Sequence, residues 1–201
     1  MYTTTINIIL KTFVQSIFLL TISIVMACNN SQTKTDNSLS TETKPFSLNF
    51  EQLEQQNKIN PKKSLIYIYD PNCEDCTRVR MYALENPENE AYMQQYFYTA
   101  DISIHHKNDI QFNNNTYQYK QDVVGRPYHQ LAQALNQAES ISTPCLSFLD
   151  ENLNLIVPIK KAVTAQELEV LLVFVATDSF KKMPIEQFQQ QYQKGSYTVP
   201  Y

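Results

Sequence analysis

The chain of 201 residues is long enough for one well-buried core, and too short for two large ones once its first forty or so residues are set aside. Its formal charge of -4 becomes one unit more negative without the segment before Cys28, which holds Lys11 and no acid; neither balance provides the basic surface that nucleic acid requires, so no nucleic-acid partner is expected. The only glycines are Gly125 and Gly195, which excludes the glycine-built phosphate loops of nucleotide-binding proteins.

From Ile17 to Ala27 the residues run I-F-L-L-T-I-S-I-V-M-A, with Lys11 a few positions ahead. An ordinary spanning helix needs about 20 apolar residues, so this run has the length of a signal-peptide core instead. The competing reading is a retained helix from about Ile6, because Ile8 to Leu10 and Phe13 to Val14 are also apolar. Val25-Met26-Ala27-Cys28 resembles a bacterial lipoprotein signal, which implies a signal peptide over 1–27 and acylation of Cys28. The polar run that follows cannot bury enough surface to fold and reads as a flexible tether over 28–45. A membrane partner through this lipid anchor is then expected, on the periplasmic side of a bacterial membrane, inner or outer. Export suits disulfide chemistry, because disulfides persist in an oxidising periplasm.

Residues 46–201 read as the folded domain. Phe46, Leu48, Phe50 and Leu53 are spaced for a short opening strand and then a helix. Ser64 to Tyr69 is a nearly continuous apolar run bounded by turn residues, as expected of a central buried strand. Asp70-Pro71-Asn72 ends it, since Pro71 has no amide hydrogen to continue a ladder. From Cys73 onward, Cys76, Val79, Arg80 and Ala83 fall at helical intervals, with Cys73, Thr77, Arg80 and Leu84 along an adjacent line. A second short helix is expected over Glu88 to Gln95 and a strand over Tyr96 to Ile104.

His105 to Gly125 is polar, lacks a sustained period and reads as a long surface connection. Pro127 to Ala138 has Leu131, Ala134, Leu135 and Ala138 on one helical face. Cys145 to Leu149 and Leu153 to Val157 are strands joined by a short polar turn, which favours an antiparallel hairpin. Thr164 with Glu167 three residues later is a capping box, followed by Leu168, Leu171, Leu172 and Val175 as a buried face. A last amphipathic helix is expected over Pro184 to Tyr192, a C-terminal helical extension. Together these elements give an α/β layer architecture.

Cys73-Glu74-Asp75-Cys76 is the pattern that carries chemistry. At a helix start, unpaired backbone N–H groups and the helix dipole favour a Cys73 thiolate, and Cys76 is near enough to resolve a mixed disulfide. Such a pair moves two electrons and two protons with no bound cofactor, and none is expected. Half of a zinc site, a static disulfide and coincidence are the alternatives. The absence of a second C-x-x-C disfavours a four-cysteine zinc site, and Thr77 stands where a haem-attachment motif needs histidine.

With the strand before it, the helix after it and the later Thr143-Pro144, this pattern resembles the thioredoxin superfamily. The closer resemblance is to extracytoplasmic thioredoxin-related lipoproteins of the Bacteroidetes type. That resemblance implies a thioredoxin-like three-layer α/β fold with a mixed central sheet. It also implies thiol–disulfide exchange with protein thiols or disulfides, with Cys73 and Cys76 as catalytic residues and a possible upstream redox partner. Pro144 would be cis and face the pair, and Thr143 would offer its backbone to an extended client.

Departures from the family pattern are Asn72 and Asp75 beside the cysteines, and Tyr67 where many thioredoxins bury a carboxylate. Glu74 and Asp75 add negative charge that disfavours the thiolate. Cys145 reads as a buried strand cysteine, with an auxiliary redox or metal-ligating role as the alternative. His105, His106 and His129 read as solvent-facing or locally hydrogen-bonded, and no metal site is expected. A noncatalytic binding module, or a copper-handling protein using Cys73, Cys76 and a distant histidine, is the second functional reading. Arg78 and Arg80 read as solvating the face of the redox helix, with guidance of an acidic client as the alternative.

Overall fold

Apolar side chains on both faces of one strand organise the molecule. In β1 (Lys63–Tyr69), Leu65 and Tyr67 belong to one core and Ile66 and Ile68 to the other, and all four are fully buried. A strand covered on both sides must read as an unbroken apolar run, as this one does. The computed structural model describes residues 47–199. The expected signal segment 1–27, the lipidation site Cys28 and the tether to residue 45 lie outside the described residues.

The remaining strands are β2 (Phe97–Ser103), β3 (Ile110–Phe112), β4 (Asn115–Tyr117), β5 (Tyr119–Gln121), β6 (Pro127–His129), β7 (Cys145–Leu149) and β8 (Leu155–Ile159). The helices are α1 (Phe50–Ile59), α2 (Glu74–Val79), α3 (Pro87–Tyr96), α4 (Gln130–Asn136), α5 (Ala165–Ala176) and α6 (Ile185–Gln191). The main sheet has the order β2-β1-β7-β8, with β2 parallel to β1 and the other two pairings antiparallel.

One face of that sheet is covered by α2, α3, α5 and α6, through residues such as Val79, Met93, Leu172 and Phe188. The other is covered by α1 and α4, through Phe50, Leu53, Leu131 and Leu135. This is the three-layer α/β fold with a mixed central sheet. Alternation along β7 assigns Leu146 and Phe148 to the first core and Cys145 and Leu149 to the second.

The capping box at α5 is present: Glu167 N–H donates to Thr164 Oγ1 at 3.2 Å and Thr164 N–H donates to Glu167 Oε2 at 2.8 Å. Burial of α5 extends beyond the expected face to Val170, Val173 and Phe174. The C-terminal extension explains this. Phe188 of α6 packs 5.1 Å from Phe174, and Tyr197 closes on Phe188 at 4.8 Å, measured between ring centroids.

Four sequence expectations need correction. Among the described residues, the opening strand comes down to one parallel bridge between Leu48 and Ala100, and Phe46 lies outside them. The connection from His105 to Gly125 is not irregular: β3 pairs with β4, and β5 pairs with β6 beyond it, in three-residue strands too short to show a period. The helix expected from Pro127 begins at Gln130, because Pro127–His129 pairs with β5. The strand expected from Leu153 begins at Leu155, since Leu153 adopts φ 62° in the turn.

Beyond α2 the helix widens into a π turn, Arg80–Leu84, in which Glu85 N–H donates to Arg80 C=O at 2.9 Å. The widened turn buries Ala83 and Leu84 side by side. Asn89, itself buried, holds it by donating to Ala83 C=O at 3.0 Å and Ala165 C=O at 2.9 Å. π turns of this kind recur at functional sites.

Candidate functional site

The C-terminal end of β1 delivers the chain into a tight turn built by Asp70. Asn72 N–H donates to the Asp70 carboxylate at 2.8 Å, and Cys73 N–H donates to Asp70 C=O at 3.0 Å. That turn sets Cys73 as the N-cap of α2, with extended backbone and its sulfur accepting the Cys76 N–H at 3.0 Å. Cys73 and Cys76 are joined by a disulfide, with their Cα atoms 5.2 Å apart. Their exposure differs: Cys73 is partly exposed, whereas Cys76 is 3% exposed and packs in the first core. Of the two cysteines, only Cys73 is therefore open to a partner.

Thr143–Pro144 is a cis peptide at the entry to β7. Cys145 pairs with Ile68 in the β1–β7 ladder, so Pro144 enters the sheet beside the end of β1 from which the Cys73 turn departs. Thr143 is partly exposed and Pro144 buried. The topology thus brings the cysteine pair and the Thr143–Pro144 segment to the same end of the sheet.

Cys145 goes elsewhere. It is fully buried in the second core, on the face of β7 opposite the one that meets Cys76, and its sulfur lies 3.5 Å from Ser147 Oγ. Burial pushes its thiol pKa up.

The histidines are engaged locally. His105 Nε2 lies 3.5 Å from the Asp70 carboxylate, and the rings of His106 and His129 meet edge to face at 5.4 Å. His129 is fully buried, not solvent-facing: its Nδ1 accepts Leu131 N–H at 3.2 Å, and Nε2 then donates to Asn108 C=O at 3.1 Å. Among the described residues, no three His, Cys, Asp or Glu side chains converge as a metal site requires.

Sequence reasoning named Tyr67 as a departure from the family pattern but missed its hydrogen bond beneath α2. Tyr67, fully buried, donates its hydroxyl to Cys76 C=O at 2.7 Å. Burial pushes its phenol pKa well up, so the hydroxyl stays a donor. The Arg80 guanidinium sits 5.2 Å from the Tyr67 ring centroid and 5.1 Å from that of Tyr69, the two rings being stacked 5.5 Å apart. Arg80 Nη2 donates to Asp101 Oδ2 at 2.7 Å. Arg80 thus does not merely solvate the helix, whereas exposed Arg78 pairs with Asp75 on its outer side. The available signal was Arg80 falling in line with both Cys76 and Cys73; its partner Asp101 carried none.

Two grooves adjoin the site. One of about 420 Å³ is lined by Asp75, Arg78, Tyr82 and Val163 among others. Another of about 320 Å³ is lined by Ile104, His105, Tyr128 and Ile141 among others.

A thioredoxin-fold protein from Helicobacter pylori aligns with the chain at 16% identity and a TM-score of 0.50, over 66% of this chain and 80% of its own. A DsbH oxidoreductase is similar at 14% identity and a TM-score of 0.45, over 78% of this chain and 96% of its own. A disulphide isomerase from Xylella fastidiosa Temecula1 aligns at 13% identity and a TM-score of 0.44, over 74% of this chain and 98% of its own. No family model and no curated protein matches the sequence. The mixed sheet with a helical layer on each face, and the solved structure that shares it, show that the chain adopts the thioredoxin fold.

Proposed function

We propose that the protein is a thiol–disulfide oxidoreductase acting on protein thiols or disulfides through Cys73 and Cys76. The observation that carries this reading is the disulfide at the first turn of α2, with Cys73 partly exposed and Cys76 buried. In the reducing direction, the Cys73 thiolate attacks one sulfur of a client disulfide. A Cys73–client bond forms, and the other client sulfur leaves as thiolate and takes a proton. Cys76, losing its proton, then attacks Cys73 Sγ, restoring the Cys73–Cys76 bond and releasing the second client thiol. The client gains two electrons and two protons; the pair supplies both electrons and the Cys76 proton, and the second proton comes from solvent, to which Cys73 had already lost its own. The oxidising direction is the reverse.

Helix α2 supports the thiolate twice over. Its first-turn N–H groups lack intrahelical partners, and one of them, on Cys76, already points at Cys73 Sγ. Thr143 serves in this proposal as the backbone contact for an extended client segment beside Pro144. Cys145 serves as a packing residue, because it faces the opposite core from Cys76. Insulin-disulfide reduction tests the reading: turnover is lost in Cys73→Ser and Cys76→Ser and kept in Cys145→Ala. Turnover unchanged by both active-site substitutions would refute this reading, and a wild-type protein with no turnover would leave a noncatalytic binding module.

We propose further that Cys28 is acylated and tethers the domain to the periplasmic side of a membrane, where an upstream redox partner resets the pair. The sequence Val25-Met26-Ala27-Cys28 supports this. Metabolic labelling with a fatty acid is expected to mark the wild-type chain and not Cys28→Ala; equal labelling of the two would contradict the anchor.

A further inference from the structure

Two charges sit on the inner side of the redox helix. Arg80, four residues beyond Cys76, is clamped by the rings of Tyr67 and Tyr69 and by Asp101 on the neighbouring strand. Tyr67 and Asp101 are direct partners in the β1–β2 ladder, so the ion pair is laid across the sheet beneath the turn that carries Cys76. Its side chains are 30% and 24% exposed, so the pair is partly withdrawn from solvent screening.

Of the remaining charges around the cysteines, only Asp70, 26% exposed in the Cys73 turn, is as withdrawn from solvent as this pair. Glu74 is exposed, Asp75 is paired with exposed Arg78, and the Asp70 carboxylate faces His105. Arginine stays charged at any relevant pH, so Arg80 is a fixed cation. Seven residues along a helix span about 10 Å, and helical side chains lean back toward the N-terminus. Both sulfurs therefore fall within reach of its field.

We propose that Arg80, seated by Asp101, sets the redox poise of the Cys73–Cys76 pair by favouring the thiolate of its reduced form. Arg80 acts here as a positioning and electrostatic residue that touches no client, and the inference rests on the oxidoreductase reading above. Full reduction of the bond takes two electrons and two protons, or one proton where one sulfur remains a thiolate. A neighbouring cation stabilises that last form and makes the disulfide more oxidising. Asp101 offsets part of the charge while fixing its place.

The two halves of the ion pair therefore act with opposite sign, which no purely structural role does. The test is a glutathione redox titration of the full-length protein in detergent, with the apparent thiol pKa of the reduced pair read from thiolate absorbance. Arg80→Gln is expected to shift the equilibrium about three- to tenfold toward the disulfide, a potential lower by about 14–30 mV, and to raise the apparent thiol pKa. Asp101→Asn is expected to shift both readouts the other way, and Arg80→Lys to stay near wild type. Shifts of the same sign in Arg80→Gln and Asp101→Asn, or none in either, would overturn the inference. If Arg80→Gln does not fold, the sign for Asp101→Asn decides alone. A wild-type pair that fails to exchange with glutathione would instead refute the oxidoreductase reading itself.

Discussion

Replacing Tyr67 by phenylalanine removes one atom from the centre of the site, and the structure fixes what that atom does. The hydroxyl donates to Cys76 C=O at 2.7 Å, but that carbonyl also accepts the Arg80 N–H in the helix ladder. Losing the hydroxyl thus leaves no buried acceptor without a partner, which is the case in which a lost hydrogen bond costs least. The ring stays, and with it the Tyr69 stack and the Arg80 contact. The expected cost is about 0.5–1.5 kcal/mol, or about 2–4 °C in Tm per kcal/mol for a domain of this size. Tyr67→Ala, which empties a fully buried ring site, is expected to cost about 3–5 kcal/mol. Urea unfolding of the oxidised proteins measures both. A Tyr67→Phe penalty above about 3 kcal/mol would refute the argument that Arg80 N–H alone satisfies the carbonyl.

Three further outcomes follow from particular contacts. His129 carries a pKa below its ordinary value, first because it is buried, and its neutral Nδ1 is the acceptor that caps α4. The unfolded state therefore binds the proton more readily, so this contribution is complete above the ordinary histidine value of 6.5 and is lost as pH falls below it. Urea midpoints are expected to drop from about pH 7.5 to about pH 5.5 in wild type and to drop less in His129→Gln; parallel slopes would contradict this. Cys145→Ser replaces the sulfur by a hydroxyl that still has Ser147 Oγ in reach and is expected to cost about 0.5–1.5 kcal/mol in urea while leaving insulin reduction intact, whereas lost turnover at full stability would make Cys145 a participant. Asn89→Ala strips a donor from the buried Ala83 carbonyl and another from the partly buried Ala165 carbonyl, and is expected to cost about 1–3 kcal/mol by urea unfolding; an unchanged midpoint would show the π turn to be held by packing alone.

The parts of this architecture that were legible in the sequence are those whose cause is local. Leu65 to Ile68 read as a central strand because both faces are apolar, and Thr164 with Glu167 announced α5 because a capping box is complete within four residues. Cys73-x-x-Cys76 after a strand and before a helix, with Thr143–Pro144 downstream, pointed to the site, and the structure sets both at one end of the sheet. The hairpins between His105 and His129 were hidden because strands of three residues have no period to detect. The π turn was hidden as well, since Asn89 and the start of α5 hold it from a distance. Arg80 looked like a solvated cation because its fate depends on Tyr67, Tyr69 and Asp101, which meet it only when the sheet forms. Burial of His129 was equally illegible, being imposed by the Asn108 loop and His106 packed against it.

The different exposure of the two cysteines is the centre of the account, and trapping measures its consequence directly. Full-length Cys76→Ser and Cys73→Ser proteins are each mixed with a disulfide-containing client, quenched with acid and analysed by intact mass spectrometry. Cys76→Ser is expected to accumulate a mixed disulfide at Cys73, because the resolving thiol is gone while the exposed nucleophile remains; Cys73→Ser is expected to trap little or nothing through buried Cys76. Equal trapping by the two variants, or trapping through Cys145 in either, would contradict the assignment of Cys73 as nucleophile and Cys76 as resolver.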